Sequence, residues 1–151
     1  MEFVTFEIAK KLKEKGFNVP CIYAYCEQGG WNKYTQKREP ITYILRTDGN
    51  PFGTYYTGNN WNKKYETNKN KIQCSAPTIS QVLKWLREVH NVYIDISIYI
   101  ITKDILKYNI NVYHNKNRKD LMYSGIHLTK ECSKYEEACE VALEYVLDNL
   151  I

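Results

Sequence analysis

The chain has few of the residues that most often announce chemistry. Its three histidines are His90, His114 and His127, and none shares a local signature with a cysteine. A thiol nucleophile beside a base is therefore unsupported. The five cysteines, Cys21, Cys26, Cys74, Cys132 and Cys139, are odd in number and form no Cys-x-x-Cys pair. That spacing supports neither a disulfide framework nor a zinc knuckle, and it fits a reducing compartment. No run approaches the ~20 apolar residues of a membrane span. The opening Met1-Glu2-Phe3-Val4-Thr5 lacks the basic start and apolar core of a leader. No glycine loop leads into a helix to cradle phosphate: Gly29-Gly30 precedes polar sequence, and Gly49, Gly53 and Gly58 suit hairpin geometry. The expectation is a cytoplasmic protein without catalytic residues, metal or cofactor, and with no membrane association.

Charge of one sign is also in short supply. Lys plus Arg number 21 against 17 Asp plus Glu, a net charge of +4, which falls short of a dedicated nucleic-acid binder. Tyrosine and asparagine, at 14 each, are plentiful. Both have A/T-rich codons, so genome composition explains them as well as does the tendency of amphipathic tyrosine to sit at contact surfaces.

A chain of 151 residues makes one domain, burying roughly 70% of its unfolded surface. From Thr5 to Lys15, Ile8, Ala9 and Leu12 form one helical stripe, with Gly16 placed for a left-handed cap and Phe17 for packing back. Cys21 to Cys26 reads as a strand, ended by Gly29-Gly30, and the polar stretch to Glu39 as a loop carrying Trp31 and Tyr34. Ile41 to Thr47 and Phe52 to Thr57 flank Asp48-Gly49-Asn50-Pro51, a hairpin pattern. Gly58 to Lys71 is a polar loop with Trp61 and Tyr65.

Thr78 and Gln81 match a capping box ahead of the stripe Ile79, Val82, Leu83, Leu86 and Val89, with Trp85 half-buried on its flank and Arg87 further round. Val92, Ile94, Ile96, Ile98 and Ile100 share one face of a strand, Tyr93, Asp95, Ser97 and Tyr99 the other. Tyr108 to His114 supplies a partner strand, and Leu121 to Leu128 a further short one. A second capping box, Ser133 with Glu136, opens the closing helix, whose buried side runs through Tyr135, Ala138, Cys139, Ala142, Val146 and Leu150. The order helix, strands, helix, strands, helix gives an α+β fold in which helices cover one face of an antiparallel sheet, as a single domain over 1–151. Tyr93, Tyr99 and Ile101 leave that strand's second face more apolar than solvent requires, so self-association is expected.

The candidate site is an aromatic and basic cluster: Trp31, Tyr34, Arg46, Tyr55, Tyr56, Trp61, Lys63, Lys64 and Arg87, with Lys33, Lys37 and Arg38 nearby. Rings stack on bases and cations neutralise phosphate, so the mixture suits a nucleotide or, less well, single-stranded nucleic acid. It suits a protein partner equally, and half-buried loop anchors with solvated lysines would produce the same list. His90 at a helix end reads as a cap, and Glu136-Glu137 as complements to a helix dipole.

The Ala76-Pro77-Thr78 helix start, the Trp85-Leu86-Arg87-Glu88-Val89-His90 stretch with its Ile-rich strand, and Tyr135-Glu136-Glu137-Ala138 together resemble short uncharacterised proteins encoded by Bacteroides phages and integrated mobile elements. Many relatives have Lys where Val89 stands. The resemblance carries no activity. It does imply an accessory protein, a class that often counters host defence by sequestering a signalling nucleotide or masking a host protein.

Overall fold

The computed structural model describes residues 2–32, 34–46, 62, 71–102, 105–115, 124–128 and 132–151. Among the described residues there are three helices and two three-stranded antiparallel sheets, so the α+β class holds while the single sheet of the sequence reading becomes two. The chain separates into two compact units, Phe3–Pro77 and Met1–Glu2 with Thr78–Ile151.

In the N-terminal unit, α1 (Phe6–Glu14) buries Ile8, Ala9 and Leu12. It ends as the glycine pattern requires: Gly16 takes φ 82°, its N–H donates to the Lys13 carbonyl, and the Phe17 N–H donates to the Leu12 carbonyl at 2.9 Å. This paired closure satisfies the last carbonyls and drops Phe17 into the core at 1% exposure. The sheet runs β2-β1-β3, with β1 Tyr23–Asn32, β2 Lys37–Arg46 and β3 Lys71–Ala76. Here the expected loop after Gly29-Gly30 is corrected. Gly29 adopts φ 110° and the register shifts between Gln28 and Gly30, so the glycines form a bulge inside a continuing strand instead of ending it. Residues 34–36 are in a turn between the two strands, and β2 begins four residues before the expected strand. The Phe52 to Thr57 strand lies outside the described residues.

In the C-terminal unit, α2 (Ile79–His90) has the expected capping box, Thr78 and Gln81 each accepting from the other's backbone N–H. It ends on Asn91 in the left-handed region, φ 54°. Trp85 is buried and Val89 is 54% exposed, which corrects both assignments: the buried stripe runs through Ile79, Val82, Trp85 and Leu86. The sheet runs β4-β5-β6, with β4 Val92–Thr102, β5 Ile105–His114 and β6 Ser124–Leu128. The alternation is as read from sequence, with Val92, Ile110 and Val112 buried. Ile98, on the same face toward the strand's far end, is 58% exposed.

The last helix, α3 (Tyr135–Asn149), buries Ala138, Cys139, Ala142, Leu143, Val146 and Leu147. Its second capping box does not form. Lys134 is the N-cap and makes no side-chain bond, while Glu137 reaches back to accept from the Ser133 N–H at 3.2 Å. An N-cap one residue later than expected, Lys134 instead of Ser133, moves the useful carboxylate from Glu136 to Glu137. It also leaves Tyr135 41% exposed instead of buried. No helix of the described residues is long and apolar enough to cross a membrane.

Candidate functional site: a basic groove beside the first helix

The N-terminal unit carries the chain's positive charge. Lys and Arg outnumber Asp and Glu by twelve to six across residues 3–77, whereas the rest of the chain has nine against eleven. Within this unit a groove of about 420 Å³ opens between α1 and the sheet, in the size range of small-molecule sites. Helical spacing supplies one wall, because Phe6, Lys10, Lys13 and Glu14 lie along one side of α1. Tyr43 of β2 and Gln73 and Cys74 of β3 supply the other side.

The two ends of the groove differ in chemistry. At one end Phe6 stacks on Tyr43 with ring centroids 3.7 Å apart and planes 11° from parallel, while its edge meets Tyr25 at 5.5 Å. Tyr25 is buried and donates its hydroxyl proton to the Val4 carbonyl, which fixes the ring beneath Phe6. Tyr43 remains 42% exposed. At the other end the Lys13 ammonium donates to the Gln73 carbonyl at 2.6 Å, and the Gln73 amide donates to Glu27 at 3.3 Å. Lys10 is exposed. The Cys74 thiol, on the wall, is pushed up to about 12 by burial, with Lys13 opposing only in part. It stays protonated and is a poor nucleophile.

The groove is held by an anchor in an unlikely stretch of sequence. The Asn62 amide donates to the Phe17 carbonyl at 2.7 Å, and its oxygen accepts from the Ser75 N–H at 2.9 Å. It thereby ties the end of α1 to β3. Among five asparagines of one polar loop, nothing in the sequence distinguishes it.

The cluster expected from sequence is placed as follows. Tyr34 sits on the β1–β2 turn, 99% exposed, with Lys37 and Arg38 exposed beside it. Trp31 pairs with Arg38 in register, and Arg46 with Ala24. Seven residues of strand separate those two positions, roughly 23 Å, so Trp31 and Arg46 occupy opposite ends of the hairpin. Arg87 is exposed on α2, in the other unit. Tyr55, Tyr56, Trp61, Lys63 and Lys64 lie outside the described residues.

Other titratable groups read as structural. Burial raises the thiols of Cys21 and Cys139 to about 11. His90 does not cap carbonyls through its Nε2, which is buried without a hydrogen-bond partner; its ring meets Trp85 edge-on at 4.4 Å. On the outer face of the second sheet, the Asn111 amide donates to Asp95 at 3.4 Å and its oxygen lies 3.1 Å from His127 Nδ1. This exposed ladder spans three strands and ties them together. Glu2 and Glu136 meet at the start of α3, where the hydrogen bond to Glu136 raises the Glu2 carboxyl, and Glu136 is held low by its own backbone N–H and then by Glu2. Among the described residues, no group of three His, Cys, Asp or Glu side chains is placed to hold a metal ion.

Comparison of the chain with protein families, with curated proteins and with solved structures gives no match.

Proposed function

We propose that the chain is a non-enzymatic accessory protein of a phage or mobile element that captures a small anionic ligand, of the signalling-nucleotide class, and withholds it unchanged. The observation that carries this reading is the groove beside α1, where a stacked aromatic pair and two lysines line opposite ends of one cavity. A planar ring extends the Phe6–Tyr43 stack, and an anion meets Lys10 and Lys13. The wall thiol, protonated near neutral pH, gives no help to covalent chemistry. The test is to incubate the protein with a panel of nucleotides and cyclic oligonucleotides, denature it, and identify what is released. Saturable retention with intact recovery supports capture, and cleaved product overturns it.

A second reading, masking of a host protein, draws on β2. Ile41, Tyr43 and Leu45 share one face of that strand and are 56%, 42% and 40% exposed, a row of the kind that marks a contact surface. Stoichiometric retention of one host protein, abolished by Ile41→Asp and unaffected by nucleotide, would favour masking over capture.

A further inference from the structure

The charges around the groove are unequal to a polyanion. Lys10 and Lys13 face it together with Glu14, so these three side chains sum to a single positive charge. Lys13 is also committed in part: it donates to the Gln73 carbonyl at 2.6 Å and lies in the last turn of α1, where it offsets the negative end of the helix dipole. Among the described residues that line the groove, an anion seated here meets one available ammonium, one shared ammonium and one carboxylate. A ligand with a single negative charge neutralises that set. A triphosphate brings several charges, and its outer phosphates crowd Glu14 and the carbonyl end of α1.

The cavity points the same way. At about 420 Å³ it is near the lower end of the range for small-molecule sites, suited to one ring and one phosphate group. The ring end and the cation end lie on the same helix, with Phe6 and Lys10 one turn apart and Lys13 a turn beyond, about 5 Å per turn. A nucleoside with its phosphate folded back spans that interval.

Resting on the capture reading above, we infer that the groove selects a phosphodiester monoanion on a single nucleoside, such as a cyclic mononucleotide, and rejects nucleoside triphosphates. Glu14 is the discriminating side chain, and Lys10 and Lys13 are the phosphate contacts.

The experiment is calorimetric titration of the full chain, without magnesium, using cyclic AMP and cyclic GMP against ATP and GTP. The expected result is binding of a cyclic mononucleotide at least about tenfold tighter than of the matching triphosphate, since two or more unfavourable charge contacts at roughly three- to fivefold each accumulate to that. Glu14→Gln narrows the gap by raising triphosphate affinity. Lys10→Gln weakens both, and because Lys10 is exposed the variant folds even if Lys13→Gln, which loses the Gln73 tie, does not. Triphosphates binding equally well or better, with Lys10→Gln weakening them, would overturn the charge selection while leaving capture in place. Failure of both ligand types overturns the inference. Capture itself falls only if the wider panel also yields no retained ligand.

Discussion

Single side chains set the stability of this fold in ways that composition hides. His90 is the clearest case: burial, and then the neighbouring His114, hold its imidazole below the ordinary 6.5. Its charged form is therefore disfavoured when folded and preferred when unfolded. The stabilising contribution is complete above the unfolded value and is lost as pH falls through it toward the depressed folded one. Thermal unfolding followed from about pH 7.5 to about pH 5 is expected to show a falling midpoint, and His90→Gln a shallower fall. Asn62→Ala is expected to cost about 1–3 kcal/mol in denaturant unfolding, because its hydrogen bonds to the Phe17 carbonyl and from the Ser75 N–H are both lost. Asn62 shows why residue-level function was poorly legible. It is one polar residue of a polar loop, and its role depends on two backbone groups that are distant in sequence.

Elements were legible where local chemistry decided them. The α2 start was readable because Thr78 and Gln81 satisfy each other's backbone whatever surrounds them, and Thr78→Ala is expected to cost about 1 kcal/mol by the same measurement. The α1 end was readable because only a residue at ease with φ 82° closes that turn; Gly16→Ala meets open space and is expected to cost about 1 kcal/mol from backbone strain alone. The strand end at Gly29-Gly30 is not legible, because these are the same two letters whether they end a strand or bulge within one. Pairing with β2 across the bulge decides which, and pairing is a property of two segments. The candidate site suffered from that error. With Trp31 assigned to a loop, Trp31 and Arg46 could be imagined converging, whereas strand geometry holds them seven residues apart. The groove was missed for a related reason. Its cations, Lys10 and Lys13, stand off the apolar stripe of an amphipathic helix, where lysines are ordinarily solvated, and Tyr43 is one residue of an alternating strand.

At the scale of the whole molecule, charge is segregated along the chain, with the basic excess confined to residues 3–77. Ligand affinity is therefore expected to fall with added salt, and only gently, since one or two phosphate contacts release few counterions; a steep slope would point to nucleic acid instead. The central claim is that the groove beside α1 captures a small anion carrying a planar ring. Amide chemical-shift mapping during titration with cyclic mononucleotide tests it most directly, because it reports location as well as binding. The account requires saturable shifts concentrated at Phe6, Lys10, Lys13, Tyr43, Gln73 and Cys74, with the α2 and α3 resonances unmoved. Saturable shifts centred on the Tyr34 turn or on the outer face of the second sheet, with the α1 groove silent, would contradict it.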